Sequence, residues 1–253
     1  MTRPGTSALI FLTVFLPLVV STGLLPESLK KALPALFIAM CTFIVNDIDD
    51  VETDKVNHPD RPLPSGSLLP RYATVFYFVC LALALYTTKT FIPAPTAYLY
   101  YLLLIVVLNY KYVAEQLPNF KSLYVASTST FPVLIVVGVL SIGREYLLVA
   151  IATFLFVLGR EGFLDYLDRA GDQVSFISGL PRQTITVLGF AAQGAALVLL
   201  SPLIRQTTDM VVLGLLSILS TLSFLIWSRG DEPRRAIGIM KVQMFCGLYF
   251  LIR

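Results

Sequence analysis

Carboxylates are expensive beside lipid, yet this sequence gathers them at the ends of two apolar runs. The first group reads Asn46-Asp47-Ile48-Asp49-Asp50-Val51-Glu52-Thr53-Asp54. At about 100° per residue, Asn46, Asp50 and Asp54 stack on one helix face, with Asp47 at its margin. The second group reads Arg160-Glu161-Gly162-Phe163-Leu164-Asp165-Tyr166-Leu167-Asp168-Arg169-Ala170-Gly171-Asp172. A helical wheel places Glu161, Asp165, Asp168 and Asp172 within an arc of about 60°. Negative charge at a helix C-terminus opposes the helix dipole, and carboxylates so close repel one another. Hard divalent cations with oxygen ligands remove both problems. A calcium loop of EF-hand type is disfavoured, because its glycine and terminal glutamate are missing at the required spacing. The plainer reading of either group alone is a solvated, acidic helix end. Two such groups on one side of a membrane look instead like two facing metal sites. Two magnesium ions between them can hold a diphosphate by its oxygens.

The chain between the first group and the next apolar run is Lys55-Val56-Asn57-His58-Pro59-Asp60-Arg61-Pro62-Leu63-Pro64-Ser65-Gly66. Three prolines and a glycine predict an ordered, non-helical loop. Arg61 stands where a guanidinium can clamp phosphate oxygens in a fork; the alternative is an anchor that fixes topology. His58, the one histidine in the sequence, reads as a surface residue beside Pro59.

The elements that hold these groups are apolar. Of 253 residues, 56% are hydrophobic and 14% are charged, where a soluble domain carries about 25% charged residues. A spanning helix needs about 20 mostly apolar residues. Nine candidates fall at roughly 7–25, 29–50, 72–91, 95–113, 122–141, 145–164, 184–204, 209–228 and 234–252. The expected fold is therefore all-α: one polytopic domain over residues 1–253, with nine transmembrane helices around a central cavity. The first run reads as an uncleaved helix rather than a signal peptide. The acidic groups follow the second and sixth helices, a spacing that hints at a duplicated four-helix unit. Cys41, Cys80 and Cys246 lie in apolar runs without CxxC spacing and read as small core residues. A net charge of +3, scattered along the chain, excludes nucleic-acid binding, and no obligate protein partner is evident. With the N-terminus and the loops after helices two, four, six and eight on one side, that side carries twelve of the 19 Lys and Arg residues. Six lie opposite and Lys241 falls inside the last span, so the acidic side is cytoplasmic by the positive-inside rule. Asp209, on the opposite side, is expected to play no part in the site.

Two longer patterns now emerge. Asn46-Asp47-x-x-Asp50-x-x-x-Asp54, continuing to Arg61-Pro62-Leu63-Pro64-Ser65-Gly66, resembles the first signature of UbiA-type membrane prenyltransferases. Arg160-Glu161-x-x-x-Asp165-x-x-Asp168-x-x-Gly171-Asp172, followed by Leu180-Pro181, resembles the second, and Arg3-Pro4 resembles the family's usual opening. The resemblance implies that Asn46, Asp47, Asp50, Asp54, Asp165, Asp168 and Asp172 bind Mg²⁺, and that Asp50, Asp54, Asp168 and Arg61 are catalytic. It implies that Asn46, Arg61, Lys111, Lys121, Tyr110 and Arg160 contact the diphosphate or prenyl part of an isoprenyl diphosphate donor. The prenyl tail would lie in an apolar tunnel open to membrane lipid. Tyr98, Tyr100, Tyr101, Tyr110, Tyr112 and Tyr124 either line that cavity, stabilising an allylic cation, or form an interfacial belt. The sequence departs from the pattern on the acceptor side: Glu115 stands where the family usually has lysine, Ser122 near its asparagine, and Gly179 for its threonine before Leu-Pro.

The implied reaction is intramembrane transfer of an isoprenyl group to an aromatic or lipid acceptor, with release of diphosphate. A terpene cyclase on the same scaffold is the alternative, its nucleophile being a double bond of the same chain. A cation transporter is disfavoured, since transporter sites lie near the midplane and these acids lie at helix ends. A carboxylated aromatic acceptor requires a cation inside the pocket. Lys241 is the candidate, and snorkelling to the membrane surface is its alternative role.

Overall fold

The computed structural model describes residues 4–140, 144–170, 175–230 and 232–252. Its helices are α1 Pro4–Thr22, α2 Leu25–Asp49, α3 Val51–Asn57, α4 Pro70–Phe91, α5 Ala94–Leu108, α6 Tyr110–Gln116, α7 Lys121–Leu140, α8 Arg144–Asp168, α9 Arg182–Leu200, α10 Thr207–Arg229, α11 Pro233–Gly247 and α12 Tyr249–Ile252. Among the described residues there are no strands. Seven helices, α11 taken with α12, are long and apolar enough to cross a membrane, and α5 with α6 makes an eighth when its 42° bend is counted within one span. α7 occupies the fifth expected span. The count of nine remains an expectation.

Prolines begin several of these helices, at Pro70 and Pro233 for example, where the missing N–H has no intrahelical partner to lose. Pro17, Pro34 and Pro132 lie inside helices, which neighbouring helices make tolerable at membrane depth. α10 starts with a capping box between Gln206 and Asp209. Asp209 Oδ2 accepts from the N–H groups of Arg205 at 2.7 Å and Gln206 at 3.0 Å, and Tyr249 Oη donates to its Oδ1 at 2.7 Å. Asp209 is thus a buried structural residue rather than an idle one.

α1, α2, α4, α5 and α7 surround one apolar core that includes Val14, Leu18, Ile38, Tyr100, Leu104 and Ile135. A second core joins α8 to α12, with contributions from α1 and α7. α8 and α9 approach closely because glycines meet. A Cβ on Gly189 would stand 2.4 Å from the Phe163 ring, and one on Gly159 would stand 2.5 Å from the Gly189 carbonyl oxygen. Phe163 also packs on Trp227 at 4.5 Å between ring centroids, and Trp227 Nε1 donates to Thr186 Oγ1 at 2.8 Å. This aromatic cluster fixes the end of α8 that carries the second acidic group. Val75, Phe78, Tyr86, Val187, Val198 and Val211 are each at least 60% exposed, a density of outward apolar side chains that suits lipid rather than water.

Candidate active site

Between the two cores lies a cavity of about 790 Å³. One end is polar, lined by Asn46, Asp47, His58, Arg61, Tyr110, Arg160, Glu161, Asp168 and Arg234. The shaft is apolar, lined among others by Leu9, Ile38, Val107, Val133, Val149, Phe156, Leu200 and Leu248. On α8, Val149 lies eleven residues before Arg160, so the shaft continues about 16 Å beyond the polar end.

The first acidic group reaches the site because α2 runs almost unbroken into α3. The turn changes at Asp50, yet its N–H donates to the Asn46 carbonyl at 2.8 Å and the Asp54 N–H to the Asp50 carbonyl at 2.7 Å. Asp47 and Asp54 are buried. Arg61 Nη1 lies 2.5 Å from Asp54 Oδ2 and 3.9 Å from Asp47 Oδ1. The loop that carries it is a series of turns, with Ser65 N donating to the Arg61 carbonyl at 3.0 Å and Leu68 N to the Pro62 carbonyl at 2.9 Å. Gly66 supplies the left-handed residue at φ +75°.

The second group closes α8. Glu161 pairs with Arg160 Nη1 at 2.8 Å. Asp165 is held by Lys121 Nζ at 3.3 Å and by a hydrogen bond from Ser122 Oγ. Asp168 Oδ1 is 3.4 Å from His58 Nε2 and 3.9 Å from Arg234 Nη2. The Asp168 carbonyl accepts from Asn57 Nδ2 at 2.8 Å. The ends of α3 and α8 are therefore bound to each other across the cavity mouth.

The two acidic groups do converge on one cavity end. Asn46, Asp47, Arg61, Tyr110, Arg160 and Asp168 line it, while Asp54, Asp165 and Lys121 stand beside it. Asp47 is buried in the cavity wall. Asp50 sits at the α2–α3 junction, outside the cavity lining. Lys111 also stands off the cavity, 3.8 Å from Asp49 and 3.7 Å from Glu115. Asp172 lies outside the described residues. Of the six tyrosines, Tyr110 and Tyr124 line the cavity. Tyr98 and Tyr112 are exposed, 71% and 64%, and Tyr100 is packed in the core with its hydroxyl donating to the Lys31 carbonyl at 3.0 Å. Tyr101 packs against that same core. Because α5 is apolar on every side, only packing decides which of its Tyr98, Tyr100 and Tyr101 turns inward.

Among the described residues no three carboxylate, imidazole or thiol groups are gathered closely enough to hold an ion; Asp54 and Asp165 are held by cations instead. The donors present, carboxylates and an amide on two facing helix ends, nonetheless have the oxygen chemistry that magnesium takes. Arg160 Nε is buried with no hydrogen-bond partner among the described residues, a donor available to an anion.

The sequence profile of the UbiA prenyltransferase family matches residues 7–246. The chain belongs to this family. It is 30% identical over 185 residues to the digeranylgeranylglyceryl phosphate synthase of Methanoculleus marisnigri, an alignment covering 71% of this chain and 65% of that one. The chain thus spans slightly under two thirds of the length of that relative. Its fold is that of a UbiA homologue from Aeropyrum pernix K1, with a TM-score of 0.77 at 17% identity, covering 100% of this chain and 98% of the other. A UbiA homologue from Archaeoglobus fulgidus bound to GPP and Mg²⁺ superposes with a TM-score of 0.66 at 17% identity, covering 100% and 98%.

Within this UbiA chain, two residues escaped the sequence reading. His58, expected at the surface, is 20% exposed and faces Asp168 across the cavity mouth. Arg234 joins the same end from α11, although it lies 66 residues beyond Asp168 in sequence. The one local hint for the first is its place in the loop that carries Arg61. No local signal marks the second.

Proposed function

We propose that this chain transfers an isoprenyl group from an isoprenyl diphosphate to the hydroxyl of a glyceryl phosphate lipid within the membrane. The observation that carries the proposal is a single cavity that joins an acid-and-guanidinium end to an apolar shaft. A diphosphate suits the first part and an isoprenyl tail the second. The relative from Methanoculleus marisnigri supports the lipid acceptor, and the homologue bound to GPP and Mg²⁺ supports the donor and the metal.

Asn46, Asp47, Asp50, Asp54, Asp165, Asp168 and Asp172 are the residues we assign to hold Mg²⁺, with Arg61, Lys121, Tyr110 and Arg160 toward the diphosphate; Lys111 stands off the cavity beside Asp49 and Glu115 and is given no part in holding it. Magnesium, when bound, supplies positive charge against the diphosphate oxygens. Arg61 and Lys121 already hold positive charge at that end and oppose the charge that develops as the C1–O bond breaks. The apolar shaft excludes water from C1. Tyr110 and Tyr124 face the cavity where an allylic cation would form. The acceptor hydroxyl oxygen then bonds to C1, the leaving diphosphate keeps the electron pair of the broken bond, and a carboxylate at the mouth takes the hydroxyl proton. By the distribution of Lys and Arg, the mouth faces the cytoplasm.

The test incubates purified protein with labelled geranylgeranyl diphosphate, with and without a geranylgeranylglyceryl phosphate acceptor, in Mg²⁺ or EDTA. The expected product is a diether lipid that requires both acceptor and Mg²⁺. Hydrocarbon released from donor alone would assign a cyclase, and full turnover in EDTA would remove the metal.

A further inference from the structure

α11 carries a charge with no task in the donor half of this reaction. Lys241 lies eight residues after Pro233, about 12 Å along the helix from its start, and an ammonium at membrane depth demands a reason. It is exposed and at the same time lines the cavity, so it stands at an opening in the wall. Arg234, seven residues earlier, falls within about 20° of it on the helix face and also lines the cavity. Gly238 lies between them on that face. It is exposed, and a Cβ built on it would find nothing within 4 Å. α11 therefore presents a guanidinium, a gap and an ammonium along one stripe of the cavity wall. The top of the stripe touches the cavity mouth, where Arg234 Nη2 donates to the Asn57 carbonyl at 3.1 Å. Gly5 and Thr6 of α1 line the same cavity.

A phosphate-bearing acceptor brings its own negative charge into a cavity whose mouth is to hold a diphosphate. Like charges a few ångströms apart repel strongly where water is scarce, so the acceptor requires separate positive charge. A guanidinium fork and an ammonium on one helix stripe suit a phosphomonoester, and the gap at Gly238 leaves room for its oxygens. We propose that Lys241, with the gap at Gly238 beside it and Arg234 toward the mouth, seats the phosphate of the acceptor lipid as it enters from the membrane. This inference rests on the transfer reading above.

The experiment uses full-length protein in nanodiscs of neutral phosphatidylcholine. Two acceptors are compared, geranylgeranylglyceryl phosphate and the same lipid without its phosphate. Lys241→Met and Gly238→Leu should each raise KM for the phosphorylated acceptor by about tenfold or more, the scale of one modest contact; Arg234 is left in place, because it also meets Asp168 at the diphosphate end. KM for the donor and KM for the phosphate-free acceptor should stay within about twofold. Lys241→Arg should restore much of the loss, and circular dichroism checks the fold of every variant. Wild-type KM in Lys241→Met and Gly238→Leu, or equal losses with both acceptors, would overturn the proposal and leave Lys241 a snorkelling residue. Inhibition of the wild type by phosphatidylglycerol that vanishes in Lys241→Met, with no preference for the phosphorylated acceptor, would assign the stripe to bulk lipid headgroups and also overturn it. If the wild type prenylates neither lipid, the transfer reading itself fails, and this proposal with it.

Discussion

Arg61 offers a sharp test of the site, because its geometry makes two separable demands. Its Nη1 lies 2.5 Å from the buried Asp54 carboxylate and 3.9 Å from that of Asp47. Its own side chain is 29% exposed, so one face of the guanidinium is open to a ligand while the other neutralises α2 and α3. Arg61→Ala removes both functions. Breaking a fully buried pair by deleting one partner costs about 3–5 kcal/mol; partial exposure of Arg61 lowers this, and a loss nearer 2 kcal/mol is expected. Arg61→Lys keeps the charge beside Asp54 and loses the fork. It should therefore fold with little loss and yet lose at least about tenfold in kcat/KM for the donor, about 1.4 kcal/mol. Arg61→Ala should lose at least about 100-fold. The assay is steady-state kinetics with labelled donor, alongside thermal unfolding followed in detergent. The separation of the two effects is what matters: the lysine variant should lose activity without an equal loss of Tm. An Arg61→Lys enzyme with wild-type kinetics would reduce Arg61 to a counter-ion and tether. Equal losses of activity in both variants, tracking Tm, would make its role purely structural.

Other outcomes follow from the same structure. Asp168→Ala removes the carboxylate that meets His58 at 3.4 Å, and kcat/KM should fall by at least about 100-fold; Asp50→Ala, at the α2–α3 junction, should do the same, and a silent Asp50→Ala would remove Asp50 from the metal site. Asp209→Ala removes the α10 cap and the acceptor of the Tyr249 hydroxyl, which should cost about 1–2 kcal/mol of stability and lower Tm while kcat/KM stays near wild type. Gly189→Ala drives a methyl to 2.4 Å from the Phe163 ring, and overpacking of about 1–3 kcal/mol should lower Tm; an unchanged Tm would show that α8 and α9 separate easily.

What was legible in the sequence is what depends on near neighbours in the chain. Apolar length and the 3.6-residue period are local, so the all-helical membrane architecture, the two acidic helix ends and the ordered loop before α4 could be read directly. The pairing of Arg61 with Asp54 spans only seven residues and lies within one motif. Other relations join distant segments. Asp165 meets Ser122 across 43 residues, and Asn57 meets the Asp168 carbonyl across 111. His58 turns from surface residue to cavity wall because α8 ends against its loop, and Tyr98 turns outward while Tyr110 turns inward because packing sets the rotation of α5 and α6. A helix that is apolar all round carries no phase in its sequence, and side-chain pairs across a bundle depend on how whole helices dock. The sequence alone therefore determined which residues stand at helix ends, while only the tertiary structure decided which cation holds which carboxylate and which face of each helix lines the cavity.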